Sequence, residues 1–491
     1  MKRAIQSRVR TGVEYRAFQE RYWDLPDAFV LECLRWPDDR SPAPYQLEFL
    51  RTLATRGRFS GRGPHGLGKT SVAAWAILWF ALTRDGQDWK IPTTAGAWRQ
   101  VRYFLWPEVH KWARMVDWRR VGRPPFTAHE LLSLGLNLRS GEAFAAVSDN
   151  PALIEGAHAD HILYVFDESK SIPAETFDAA EGAFSGGDTK AYALALSTPG
   201  EPLGRFYDIQ ARKPGFLDWS VRHVPLDEAV RSGRISLPWA EARKLQWGEK
   251  SAIYQRRVEG NFAADDVEGV IPLSFVEAAV ERWHRMFDGP SEPELGPMEA
   301  LGVDIGLTGA QTVMAPRHGL VVPRLWYLPP ADPTVATMVT AGKVKAKLDG
   351  NRQAWAYVDV NGIGAGVVHR LAEQKARVVP FSAGARTDRT DKSGELGFAN
   401  TRAAAWWHMR ELLEDQAVVL PDDELLVGDL TTPKYREMSN ARLLIESKKD
   451  LADPKRLGRS TDSGDAVIQA FYDYGVDEDE VSPEVMRMVA W

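Results

Sequence analysis

The stretch Gly63-Pro64-His65-Gly66-Leu67-Gly68-Lys69-Thr70 constrains this chain more than any other. It reads G-x-x-x-x-G-K-T, a loop whose glycines let successive backbone N–H groups curl inward around phosphate. Lys69 then supplies a point charge for the β- and γ-phosphates of ATP, and the Thr70 hydroxyl is placed to hold Mg²⁺. The apolar run from Ser71 to Phe80 predicts a helix whose positive end faces the anion. A glycine-rich turn opening an ordinary helix has the same look, so a second motif has to decide.

That motif is Ile162-Leu163-Tyr164-Val165-Phe166-Asp167-Glu168. Five apolar residues in a row predict a buried parallel strand. Two carboxylates close it, at the end where ligands gather in open α/β sheets. Asp167 is expected to hold Mg²⁺ through water and Glu168 to polarise the attacking water. Strands over Trp89–Ala95 and over Ala191 to Ser197-Thr198 complete the order of a doubly wound ATPase, with two small hydroxyls placed to sense the γ-phosphate. Upstream, Gln46 beside Tyr45 carries the donor and acceptor that an adenine edge requires, although a glutamine on a helix is commonly just solvated. The segment from Trp98 to Val109 predicts a helix with Arg99 and Arg102 on one face. They are candidates for phosphate or DNA contact, or simply a solvated face.

The second half carries a different set of acids. Leu301-Gly302-Val303-Asp304 starts a strand, an antiparallel meander follows with a turn at His318-Gly319, and Ala354 to Val358 is a further buried strand closing on Asp359. Asp465 falls in the first turn of a helix beginning at Asp462. Carboxylates from two strand ends and a helix start, in this order, make a ribonuclease H-like nuclease site. They can bind two Mg²⁺ or Mn²⁺ ions that clamp the attacking and leaving oxygens of a phosphodiester. Each aspartate alone could be an N-cap or a turn residue, and Asp462 is either a cap or an auxiliary ligand. Lys448, Lys449, Lys455, Arg456 and Arg459 suit backbone phosphates, or a solvated loop.

At 491 residues the chain exceeds one ordinary core. A helical lead-in over 1–45, an ATPase domain over 46–262, an acidic, proline-rich linker over 263–297 and a nuclease domain over 298–491 are expected. The net charge of −6 means that a DNA-handling site has to be a local patch. The single Cys33 excludes an intramolecular disulfide and any cysteine-based zinc site, which predicts a cytosolic protein. No apolar run reaches the roughly 20 residues of a membrane span, and no secretory signal is read at the N-terminus.

Taken together, these stretches resemble the large terminase subunit of tailed double-stranded DNA bacteriophages. The resemblance rests on Tyr45-Gln46, Gly63 to Thr70, Thr93-Thr94-Ala95 with Arg99-Gln100-Val101, Val165 to Glu168 and Ser197-Thr198-Pro199. It continues through Gly302 to Gly306, Val358 to Val367, Asn400-Thr401-Arg402 with Trp406-Trp407, and Gly458-Arg459-Ser460 into Asp465-Ala466. It implies a P-loop ATPase of the ASCE type, with a mainly parallel sheet, joined to a ribonuclease H-like domain. It also implies ATP-driven movement of double-stranded DNA into a prohead and metal-dependent cutting of the concatemeric genome. The implied partners are the portal protein, a small terminase subunit and further copies in a ring, a pentamer in this expectation. The implied location is the host bacterial cytoplasm, transiently docked on the portal and not in the mature virion. Ser197-Thr198 match the family's coupling motif. Many members have an arginine where this loop has His65, so Arg58, Arg62, Arg99 and Arg102 all stand as candidates for the arginine that completes a neighbour's site. Gln311 stands where some relatives have an acid. A stand-alone ATP-dependent helicase-nuclease of repair or restriction is the alternative reading, disfavoured because one ATPase core is visible where strand-separating helicases usually need two.

Overall fold

Two sheets organise the chain, and each belongs to its own unit. The computed structural model describes residues 2–37, 40–147, 151–185, 189–264, 269–289, 291–306, 311–330, 332, 335–438, 442–453 and 456–473. Residues 1–241 and 254–264 form the first unit; residues 242–253 and 265–491 form the second.

The first unit is built on strands β1 (Arg58–Arg62), β2 (Trp89–Ala95), β3 (Leu131–Leu132), β4 (Gly135–Asn137), β5 (Gly141–Ala145), β6 (His161–Asp167), β7 (Lys190–Ser197) and β8 (Ser220–His223). Their order in the sheet is β3-β4-β5-β2-β6-β7-β1-β8, and the strands from β5 to β8 all pair in parallel. A parallel core of this kind needs cover on both faces. Accordingly β6 is buried at every position. The helix Lys69–Arg84 is buried along nearly its whole length, with Trp75, Trp79 and Phe80 at 0–1% exposure. Apolar residues all round a helix mark a core element rather than a surface one. The lead-in forms helices Lys2–Tyr22 and Pro26–Cys33, and Tyr45-Gln46 open a third, Pro44–Arg56. The helix expected from Trp98 to Val109 is a π-helix, Gln100–Leu105, running into an α-helix, Trp106–Met115. Pro107 has no N–H to close the preceding α-turn, which explains the break in the i→i−4 ladder.

The second unit holds β9 (Ala300–Asp304), β10 (Thr312–Arg317), β11 (Trp326–Leu328), β12 (Trp355–Asp359) and β13 (Val378–Phe381), ordered β11-β10-β9-β12-β13. β9, β10 and β11 form the antiparallel meander; β9, β12 and β13 run parallel. A small sheet of β14 (Gly397–Phe398), β15 (Tyr435–Glu437) and β16 (Arg442–Ile445) lies in the same unit. The stretch read as a linker contains a 15-residue helix, Leu273–Phe287, with buried Leu273, Val276 and Ala279. It is tied into the second unit by Arg282 Nε donating to Val418 O (2.8 Å). Its apolar face, spaced at helical period, outweighs the acidic and proline-rich residues that suggested a linker. Among the described residues no helix is long and apolar enough to cross a membrane.

Candidate functional site

β1 delivers the chain to Gly63, and the following helix starts at Lys69. Gly68 takes φ +74°, and a Cβ there would lie 2.6 Å from Gln46 Nε2, so the turn requires glycine. No side chain caps the start of the helix. Its first N–H groups and its positive dipole end are thereby left to an anion, the arrangement that binds phosphate.

The charged groups converge on this turn. The buried Lys69 ammonium donates to Pro64 O (2.8 Å) and Thr198 Oγ1 (3.0 Å). Burial lowers its pKa, and the charges of Glu168 and Asp167 act in the opposite direction. Thr70 Oγ1 donates to Asp167 Oδ2 (3.2 Å), and Ser197 Oγ donates to Glu168 Oε2 (3.1 Å). Burial first, and then the adjacent Glu168 charge, push the Asp167 pKa up to about 7. Glu168 itself sits at φ +45°, a left-handed conformation uncommon outside glycine and a kind of strain that collects at functional sites. Asp167 Oδ1 is buried and makes no hydrogen bond. A buried carboxylate oxygen left over beside a threonine hydroxyl fits a hard oxygen-seeking cation such as Mg²⁺.

The structure distinguishes the other predicted residues. Gln46 is 1% exposed; its Oε1 accepts from Ala43 N (2.8 Å) and its Nε2 donates to Leu67 O (2.9 Å). Tyr45 Oη also donates to Leu67 O (3.0 Å). Both side chains therefore brace the phosphate loop from behind, and the Gln46 amide is engaged at both ends within the protein. Gln46→Ala is accordingly expected to slow hydrolysis of ATP and GTP alike, by about tenfold, because a strut worth about 1–3 kcal/mol is lost. A loss confined to ATP would restore the adenine role.

His65 donates its backbone N–H to Arg257 O (2.9 Å), and Arg62 Nη1 donates to Gly260 O (2.5 Å). Residues 254–264 thus return to the first unit and line the loop. Desolvation, and then the charges of Arg257, Lys69 and Lys170, hold the His65 imidazole well below pKa 6.5 although its outer surface meets solvent. The neighbouring cations alone favour a neutral ring, so His65 does not replace the charge of an arginine. Arg58 lies at the opposite end of β1 from the loop and pairs with Glu181 and Asp218 (2.8 Å each). Arg99 and Arg102 stack on Phe104 and Tyr103 along the π-helix.

In the second unit, β9 and β12 are parallel neighbours that end on Asp304 and Asp359. The helix Asp462–Ala470 lies directly on β9: a Cβ at Gly302 would fall 1.9 Å from Ala466 O. This close approach brings Asp465 to the two strand ends. Asp304, Asp359 and Asp465 are 1%, 6% and 4% exposed. The Lys448 ammonium stands among them, 2.5 Å from Asp304 Oδ1, 3.6 Å from Asp359 Oδ2 and 3.5 Å from Asp465 Oδ2. Burial pulls the Lys448 pKa down, but the charges of Asp304, Asp465 and Asp359 outweigh it and hold it far above the usual lysine range. Desolvation raises the Asp304 carboxyl well above its ordinary value, with Lys448 acting against it. Asp465 is held ionised despite its burial by Arg402 and Lys448, and it accepts from Thr461 Oγ1 (2.7 Å) and Trp406 Nε1 (3.0 Å).

With the lysine in place, no group of three or more histidine, cysteine or acidic side chains among the described residues stands ready to hold a metal ion. The donor chemistry still fits a divalent cation. Three buried carboxylates gather around the Lys448 ammonium, with Arg402 on the far oxygen of Asp465, and hard oxygen ligands of this kind are what Mg²⁺ and Mn²⁺ take.

The basic run expected to meet DNA phosphates is mostly turned to other partners. Lys448 serves the three acids, Arg456 pairs with Glu446 (2.6 Å), and Arg459 pairs with Asp429. Lys449 is exposed, and Lys455 lies outside the described residues. Spacing alone does not tell a lysine facing DNA from one facing inward acids. The sequence does not single out Asp429; its one signal there is an acid inside the apolar run Leu425 to Leu430. Gln311 is exposed.

No family model matches the sequence. Over 137 residues, 27% of this chain, it is 29% identical to a protein of Enterobacteria phage P7 described as a probable terminase, large subunit. The match spans about a quarter of that relative's length. Among solved structures, the fold is similar to the large terminase of a thermophilic bacteriophage, with 13% identity, 88% of this chain and 99% of that chain covered, and a TM-score of 0.41. It is also similar to the nuclease domain of the large terminase subunit gp2 of bacterial virus Sf6, at 18% identity over 41% of this chain and 97% of that one, with a TM-score of 0.33. The former has been solved with ADP and with ATP-gamma-S, and a variant of the latter with manganese.

Proposed function

We propose that this chain is the large terminase subunit of a tailed bacteriophage: an ATPase that drives double-stranded DNA into a prohead and a metal-dependent endonuclease that cuts the genome. One observation carries the reading. A single chain holds a phosphate loop facing Asp167-Glu168 in one unit and three buried carboxylates around a lysine in the other.

In the first unit, the loop N–H groups and Lys69 bind the polyphosphate, and Thr70 with Asp167 would hold Mg²⁺, which supplies charge neutralisation at the β- and γ-phosphates. Glu168, oriented by Ser197, orients the attacking water and accepts its proton. Thr198, bonded to the Lys69 ammonium, is placed to feel the loss of the γ-phosphate. This gives the coupling role proposed for Ser197-Thr198 a direct contact with the catalytic groups. In the second unit, Asp304, Asp359 and Asp465 would hold one or two divalent ions, whose charge stabilises the attacking and leaving oxygens of a phosphodiester. Portal protein, a small terminase subunit and sister copies in a ring are the partners this reading requires, with action in the host cytoplasm.

Plasmid cleavage by the purified chain with Mg²⁺ or Mn²⁺ tests it. The wild type should cut, and Asp304→Ala should lose cutting by roughly 10²-fold or more while keeping ATP hydrolysis, since a ligand of the charge-stabilising centre is gone. A wild type that hydrolyses ATP but cuts with neither metal removes the nuclease half of the proposal.

A further inference from the structure

Asp429 interrupts the apolar run Leu425 to Leu430 of the helix Glu424–Thr431 and is fully buried. Its Oδ2 accepts from the backbone N–H groups of Ser463 (2.9 Å) and Gly464 (3.1 Å), and the Arg459 guanidinium pairs with its other oxygen. Those N–H groups open the helix Asp462–Ala470, which carries Asp465. The residue that would normally cap them, Thr461, makes no side-chain cap bond; its hydroxyl donates to Asp465 Oδ2 instead. A carboxylate from another helix has taken over the cap.

We propose that Asp429, with Arg459 as its counter-ion, is a positioning residue for the nuclease site, fixing where the Asp465 carboxylate stands relative to Asp304 and Asp359. The inference rests on the nuclease reading above. Asp304 and Asp359 close neighbouring parallel strands, so the backbone ladder sets their spacing. Asp465 comes from a helix, and a helix can slide over a sheet unless it is pinned. At its far end, the Gln469 amide faces Val303 O and Tyr357 O; assigning its nitrogen to that side, the orientation in which it meets acceptors, lets it donate to both (2.8 and 3.1 Å). At the near end, Asp429 supplies two charge-assisted bonds and complements the positive helix terminus. Metal-binding carboxylates have to be held within about 0.5 Å of productive geometry. Burying the Asp429 carboxylate against the partly exposed Arg459 gives little or no stability over an apolar contact of similar volume, so a cap local to the helix would serve the fold as well. What the Asp429–Arg459 pair adds is a fixed helix position.

The test is calorimetric Mn²⁺ binding by the full-length chain, run beside Mn²⁺-dependent plasmid nicking and ATP hydrolysis, for wild type, Asp429→Ala and Asp429→Asn. Asp429→Ala should raise the Mn²⁺ concentration for half-saturation by tenfold or more in both binding and nicking, with ATP turnover unchanged. Asp429→Asn retains an acceptor for the two N–H groups and should rescue most of that shift. Wild-type Mn²⁺ affinity in a folded Asp429→Ala overturns the proposal while leaving the nuclease reading standing. If Asp429→Ala does not fold, Arg459→Ala decides: a few-fold weakening of Mn²⁺ binding and nicking supports the role, and wild-type affinity overturns it. A wild type that neither binds Mn²⁺ nor nicks removes the nuclease reading and this inference together.

Discussion

Lys69→Ala is expected to lower ATP hydrolysis by roughly 10²–10³-fold while leaving metal-dependent plasmid cutting at the wild-type rate. Removing one positive donor aimed at charge that develops in the transition state costs about 3–4 kcal/mol in a desolvated site. Lys69 meets those conditions, being buried and bonded to Pro64 O and Thr198 Oγ1 beside the carboxylates of Asp167 and Glu168. The fold should tolerate the change, because the hydrogen-bond partners Gly63 O, Pro64 O and Thr198 Oγ1 are neutral and the buried Asp167 carboxyl, already pushed up to about 7, can take up a proton once the Lys69 charge is lost. Asp304, Asp359 and Asp465, to which the proposed cutting is assigned, belong to the other unit. ATP turnover and plasmid nicking measured on one preparation make the check. Loss of both activities together would mean that the two sites are not separate.

The chain was most legible where backbone and chemistry impose the same residue. The phosphate loop is such a place: the turn demands glycine, the anion demands Lys69, and the cation demands a hydroxyl at Thr70, so eight residues in a row carry one message. Asp167-Glu168 are legible for a related reason, since a wholly buried strand announces its own end and the acids stand at it. Asp304 and Asp359 follow the same logic on β9 and β12. What local sequence does not encode is which way a long side chain turns. Lys448 reads as one of several basic residues in a loop, yet it is the cation around which three acids gather. Gln46 reads as an adenine contact but braces Leu67 O, a partner 21 positions away. Helix Leu273–Phe287 was hidden by the prolines and acids on either side of it, although its apolar spacing was there to be read. For Lys448 and Gln46 the deciding partner comes from another part of the chain, and pattern within a window cannot reach it.

Lys448→Ala is expected to destabilise the metal-free second unit by about 3–5 kcal/mol, the cost of removing one partner from a buried ionic cluster. The physical cause is plain in the geometry. Without the ammonium, three carboxylates at 1–6% exposure remain together, with Arg402 paired to Asp465 alone. Like charges so placed cannot all stay ionised without cost. A melting temperature lower by roughly 10 °C in the presence of a chelator is the expected readout. Added Mn²⁺ should recover most of the loss, because a ligand that binds only the folded state stabilises it by about 2.7 kcal/mol at a hundredfold excess over its Kd. In the wild type, Mn²⁺ would have to compete with the ammonium for the carboxylate oxygens, so the variant should bind Mn²⁺ more tightly and gain more from it. Lys448→Met is the control: it keeps an aliphatic stem of similar reach and removes only the charge. If the loss came from packing, Lys448→Met would melt like the wild type and Mn²⁺ would raise both by the same amount. Equal metal-free melting temperatures for wild type, Lys448→Ala and Lys448→Met would show that the lysine does not neutralise the cluster. The three acids would then need another source of charge.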